Sequence, residues 1–224
     1  FDACSGLNRR FEGRVWLHGD DITSLSPAAR GRQGLGRTFQ RVELCDSLTV
    51  LQNAMLGREA SQAGARVLGQ LAAPPGEWAV TTSAAWSALS LCGIEDLADQ
   101  QAGALSTGQR RLVELARVLA GPFDVLLLDE PSSGLDRDET ARFGDLLVRV
   151  VAERGVGILL VEHDMSLVMR ICDGIYVLDF GKLIYEGSPA EVASSEVVQA
   201  AYLGADEVMD AVDGDAFATE VARA

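Results

Sequence analysis

The chain has 224 residues, 48% apolar and 23% charged, with a formal net charge of −14. That length suits one substantial core, or a core with a subdomain, and no apolar run approaches the roughly 18 residues needed to span a bilayer. The acidic balance argues against a nucleic-acid partner, because such proteins gather Lys and Arg to neutralise phosphates.

Phe1 to Leu7 reads as the tail of a helix ending near Gly6 or Asn8. Arg14 to His18 predicts a strand, closed by the turn residues Gly19, Asp20 and Asp21. Ser26–Pro27 suits a helix start, with Pro in the first turn. Gly31, Gly34 and Gly36 then break the run before Arg37–Thr38–Phe39–Gln40. From Ser47 to about Leu119 the signals are helical, interrupted at Pro74–Pro75–Gly76. Within this stretch Leu112, Leu115, Ala116 and Leu119 form one apolar stripe.

Two apolar runs follow, Val125–Leu128 ending in Asp129–Glu130–Pro131 and Ile158–Val161 ending in Glu162–His163–Asp164. Between them Phe143, Leu146, Leu147, Val150 and Val151 share one helical face. Strands apolar on both sides and alternating with helices predict a parallel sheet covered on both faces. Ile175–Leu178 and Lys182–Tyr185, flanking Asp179–Phe180–Gly181, predict a closing hairpin. From Ala205 onward six acids face one base, Arg223, which predicts a mobile solvated tail. The four cysteines lie far apart without a C-x-x-C pair, and there are only two histidines. That pattern disfavours zinc and disulfides and predicts buried free thiols in a reducing cytosol.

Ligands of open α/β sheets bind at the carboxyl ends of the strands, where both apolar runs deliver polar residues. Asp129 is placed to hold a hydrated Mg²⁺, and Glu130 beside it to polarise an attacking water. An isolated Asp–Glu pair is ordinarily a solvated loop; the surrounding order of motifs carries the weight. Ser106 suits a helix cap, Gly108 permits close approach of a phosphate, and the helix N-terminus after them favours an anion.

Asp124–Val–Leu–Leu–Leu–Asp129–Glu130–Pro131–Ser132–Ser133–Gly134–Leu135–Asp136 resembles the Walker B strand and D-loop of ABC ATPases. Leu105–Ser106–Thr107–Gly108–Gln109 resembles their signature, with Thr107 where Gly is usual. Gln40 matches the Q-loop glutamine, which in that family contacts Mg²⁺ and the attacking water, and His163 matches the H-loop histidine, which contacts the γ-phosphate. The resemblance spans roughly residues 1 to 204. Val161 to Met165, Cys172–Asp173, Val177 to Gly181 and Ala201–Tyr202–Leu203–Gly204 are similar to the ATPases of branched-chain amino-acid importers, with urea and short-amide importers close by.

The resemblance implies a RecA-like P-loop NTPase core, α/β in class, carrying a helical subdomain. Residues 1–41 would form the N-terminal part of the core up to the Q-loop, 42–117 the helical subdomain, 118–204 the rest of the core, and 205–224 the tail. It also implies a cytoplasmic-face peripheral subunit in which ATP lies between two ATPase subunits. The P-loop, Glu130, His163, Gln40 and Asp129 of one would face Ser106, Gly108 and Gln109 of the other, with Asp136 also among the nucleotide-binding residues. Transmembrane permeases, and indirectly a solute-binding protein, would be partners. The family's phosphate loop, G-x-x-x-x-G-K-[ST], has no match in these residues. With Phe1 in place of Met, the expectation is a parent chain that carries the loop upstream. The alternatives are a truncated, non-catalytic module that docks on a permease or a partner ATPase, and an ATPase acting on DNA or ribosomes, against which the acidic composition speaks.

Overall fold

A computed structural model describes residues 1–8, 10–38, 44–62 and 75–203. Gln40 and the acidic tail lie outside those residues. Two compact units divide the chain, Phe1–Glu162 and His163–Ala224.

The first unit is built on a three-stranded parallel sheet in the order β3 (Leu35–Arg37), β4 (Val125–Asp129), β5 (Gly157–Val161). Strand β4 is central, pairing Leu35 with Val125 on one side and Asp129 with Val161 on the other. Leu126, Leu127 and Leu128 are fully buried, as a strand covered on both faces requires. Among the described residues β5 pairs with β4 alone, and its Leu159 and Val161 are 44% and 40% exposed.

The chain enters through α1 (Asp2–Ser5), stopped by Gly6 in the left-handed conformation at φ 81°. The strand expected at 14–18 shrinks to β1 (Trp16–Leu17), which pairs with β2 (Asp20–Asp21). The tight turn is His18–Gly19, both at positive φ, so Asp20 and Asp21 belong to the ladder rather than to the turn. Ser26 caps α2 (Pro27–Arg32), accepting the Ala29 N–H, and the helix continues through Gly31. Arg30 of α2 is buried: its guanidinium donates to the carbonyls of Ala3, Cys4, Thr23 and Leu25 at 2.6 to 3.2 Å. Carbonyl dipoles, two of them from α1, replace the carboxylate that a buried cation ordinarily needs.

Three helices pack together after this: α3 (Val50–Gln62), α4 (Pro75–Cys92) and α5 (Thr107–Leu119). Asn53 is fully buried and ties down the segment leading into α3. Its amide accepts the Cys45 N–H at 2.9 Å and donates to the carbonyls of Cys45 and Thr49 at 3.1 and 3.0 Å. Helices α3 and α5 touch backbone to backbone, since a Cβ on Gly57 would stand 1.6 Å from the Arg117 carbonyl oxygen. On α6 (Arg137–Arg154) the expected apolar face is buried except Val151, which is 41% exposed. Arg149 and Arg154 of α6 reach α4, donating to the Leu91 carbonyl at 2.6 Å and the Ser87 hydroxyl at 2.8 Å.

In the second unit, α7 (Met165–Ile171) precedes the antiparallel hairpin of β6 (Ile175–Asp179) and β7 (Lys182–Gly187), followed by α8 (Pro189–Ser194) and α9 (Glu196–Leu203). Phe180 and Gly181 turn the hairpin at φ 43° and 76°, the positive pair that matches strand twist in a tight turn. Val168, Ile175, Val177, Val192 and Val198 form its core. All four thiols are free, but only Cys92 is buried; Cys45 is exposed. Burial pushes the Cys92 thiol up to about 12.

Gly57→Ala should cost at least ~2 kcal/mol, because neither helix backbone can yield to the added methyl. Asn53→Ala should cost ~2 kcal/mol by leaving buried backbone groups without partners. Denaturant unfolding of the two variants checks both.

Candidate functional site

Strand β4 ends at Asp129, half-buried, where two consecutive residues of the neighbouring chain segment hold it. Arg37 Nη2 lies 3.3 Å from Asp129 Oδ2, and the Asp129 N–H reaches Thr38 Oγ1 at 3.4 Å. The other Arg37 nitrogen, Nη1, donates to Asp2 Oδ1 at 2.7 Å and Ser5 Oγ at 2.6 Å, and the guanidinium lies 5.8 Å from the centre of the Phe1 ring. One cation therefore links α1 to the end of β4.

Glu130 follows in the left-handed region at φ 44°, its N–H bonded to the Val161 carbonyl at 2.9 Å. The Ser133 N–H closes a turn onto the Glu130 carbonyl at 3.1 Å, while the Ser132 N–H donates to Glu162 Oε1 at 2.8 Å. Arg111 of α5 completes the enclosure, placing Nε and Nη2 at 3.2 and 3.1 Å from the Ser133 carbonyl. Arg111 is itself buried and lies 3.4 Å from the buried Glu114.

Ser106 caps α5 through a reciprocal pair. The Gln109 N–H donates to Ser106 Oγ at 3.3 Å, and Gln109 Oε1 accepts the Ser106 N–H at 2.9 Å. Asp136 caps α6 in the same way with Glu139, at 2.8 and 3.0 Å. The two helix starts are neighbours. A Cβ on Gly108 would stand 2.6 Å from Glu139 Oε1, and one on Gly134, at φ 84°, would stand 3.2 Å from the Thr107 methyl. Thr107 thus packs on the loop after Glu130, and Gly108 leaves room for the Glu139 carboxylate.

Of the expected residues, the fold brings Asp129 and Glu130 onto one strand end, and Ser106, Gly108, Gln109 and Asp136 onto one edge of the same unit. His163 opens the second unit, and Asp164 beside it caps α7 by accepting the Leu167 N–H at 3.1 Å. Gln40 lies outside the described residues. The pattern search missed Arg37, Arg111 and Glu162; the last stands directly before His163, and the other two are cations that a surface reading absorbs.

Among the described residues no group of three His, Cys, Asp or Glu side chains is placed to cage a metal. A single carboxylate at a strand end fits Mg²⁺, which keeps most of its waters and takes phosphate oxygens rather than an all-protein cage.

The ABC transporter family model matches residues 1–133. The chain belongs to the ABC transporter family. A second model, described as the branched-chain amino acid ATP-binding cassette transporter, matches residues 182–208. The high-affinity branched-chain amino acid transport ATP-binding protein LivG of Escherichia coli (strain K12) is 32% identical over 91% of this chain and 81% of its own length. BraF of Pseudomonas aeruginosa, with the same description, matches at 32% with the same coverage. Among solved structures, the ADP conformation of MJ1267, an ATP-binding cassette of an ABC transporter, superposes with a TM-score of 0.76 at 30% identity. That match covers 91% of this chain and 81% of that one. The chain is accordingly an ABC-transporter ATP-binding subunit with the α/β fold of ABC ATPase cassettes. No helix among the described residues is long and apolar enough to cross a membrane.

Asp164 gives a pH test of the second unit. Burial raises its carboxyl, but bonds from Ser166 and Leu167, with His163 nearby, outweigh burial and leave it below the ordinary 3.8. A carboxyl lowered by folding stabilises the fold above its unfolded pKa, and the contribution fades as pH falls through the lowered value. Asp164→Ala should cost ~1 kcal/mol at neutral pH, as loss of a cap does. The gap from the parent should close below pH 3.8, read by urea unfolding across pH 2 to 7.

Proposed function

We propose that this subunit hydrolyses ATP to energise import of branched-chain amino acids or related small solutes, with Asp129 and Glu130 at the reacting end. The supporting observation is the end of β4: an acid suited to Mg²⁺, followed by Glu130 locked in a tight turn beside the α5 edge. Mg²⁺, when bound, supplies charge neutralisation at the phosphate oxygens. Asp129 holds the ion's hydration shell, Arg37 steadies one oxygen of that carboxylate, and Glu130 accepts a proton from the attacking water. Gln40 and His163 are assigned to the γ-phosphate side by their family positions.

On this reading, Ser106, Gly108, Gln109 and Asp136 present their edge to nucleotide held by a second ATPase subunit, identical or related. The shared edge of α5 and α6 favours that role, because both helix starts offer backbone N–H groups and positive dipole ends. The α3–α5 helices form the surface for transmembrane permease subunits at the cytoplasmic face, with a solute-binding protein acting through them. The amino-acid cargo is inferred from the names of LivG and BraF and from the family match at residues 182–208.

Glu130→Gln in the full-length protein should lower kcat on the order of a thousandfold while sparing nucleotide affinity. Unchanged turnover in steady-state hydrolysis would remove the role given to Glu130.

A further inference from the structure

We infer that Glu162 is a positioning residue for Glu130, acting through the amide of Ser132. The inference rests on the hydrolytic reading of Glu130 and adds a residue to which that reading assigns nothing.

The parallel ladder between β4 and β5 runs in register to the pair Asp129 and Val161. One more backbone bond follows, from the Glu130 N–H to the Val161 carbonyl at 2.9 Å. Alternate residues of β4 turn their backbone groups to β5 and to β3, so Pro131 falls on the β3 side and the β5 side passes from Glu130 to residue 132. The next donor is Ser132, a buried residue, and the Glu162 carboxylate takes its N–H at 2.8 Å in place of a carbonyl. A side chain thus prolongs the sheet across the proline.

What this bond constrains is the turn containing Glu130. Glu130 has φ 44°, a conformation that residues with side chains rarely adopt and keep only where their surroundings over-determine it. Three anchors do so: Val161 at residue 130, Glu162 at residue 132, and Arg111 at the Ser133 carbonyl, the last at 3.1 and 3.2 Å. Two of the three come from the end of β5. Without the Glu162 anchor, Ser132 is free to rotate and Glu130 can relax toward ordinary φ, carrying its carboxylate away from the water it is meant to hold. Misplacement of a reacting group by about 1 Å costs on the order of a hundredfold in rate without altering ground-state binding.

The test compares Glu162→Met, of similar reach with no oxygen acceptor, with Glu162→Gln, which keeps a carbonyl oxygen. In the full-length protein the Met variant should lose on the order of a hundredfold in kcat with KM for ATP unchanged. The Gln variant should recover most of that loss. Hydrogen exchange of the Ser132 amide, measured without nucleotide, should be fast in the Met variant and protected in the wild-type and Gln proteins.

Wild-type kcat in the Met variant overturns the inference, and so does an equal loss in both variants, since the acceptor oxygen would then not matter. Should the Met variant fail to fold, exchange decides. Protection of Ser132 in the wild-type and Gln proteins supports the bond, and exchange at the solvent rate in either one overturns it. Glu130→Gln, run alongside, keeps the two ideas apart. If it hydrolyses ATP normally, the role of Glu130 fails. If it is dead while Glu162→Met is fully active, the positioning role alone fails.

Discussion

Strand β4 lies buried between β3 and β5, and where it ends the chain must leave the sheet without leaving backbone groups unmet. A proline follows Glu130, and the next donor on the β5 side, the Ser132 N–H, finds its acceptor off the ladder. The turn at Glu130–Ser133 solves this with a left-handed residue, a carboxylate from the end of β5 and a guanidinium from α5. Because those anchors come from separate elements, the placement of Glu130 depends on the sheet and on α5 together. The acidic pair could not be put on a free loop and keep this geometry.

The same turn explains why the edge formed by α5 and α6 is held so closely. Arg111 reads the Ser133 carbonyl from α5, Gly134 permits the Thr107 methyl to sit against the loop, and Gly108 makes room for Glu139. Gly108 thus leaves the Glu139 carboxylate its place in the α6 cap, and an added Cβ would displace that carboxylate.

Much of this was legible in the sequence. Ser-x-x-Gln and Asp-x-x-Glu ahead of apolar helices are capping patterns, and both fold as capping boxes. The continuous apolar run of β4 announces a doubly covered strand, and it is one. Periodicity could not show that Arg30, Arg111 and Glu114 are buried: Arg30 and Arg111 meet carbonyls distant in the chain, Glu114 pairs with Arg111 one turn away, and charge alone reads as surface. The second apolar run does form a parallel strand, β5, paired with β4. Asp20 and Asp21 misled in a local way: they look like turn residues, yet His18 and Gly19 supply the positive φ and leave the aspartates to pair with β1.

The contact at Gly57 has a mechanical side. Most helix pairs meet through side chains that rotate and absorb small displacements, whereas here a Cβ on α3 would overlap the α5 carbonyl at Arg117. Such a joint has almost no slack. Asn53 makes the start of α3 equally stiff by clamping the residues just before it. The spacing of α3 and α5 is thereby fixed by backbone rather than by side chains that could repack. The same α5 carries Ser106 at its start and, through Arg111, one anchor of the Glu130 turn. The joint is set by a missing methyl group.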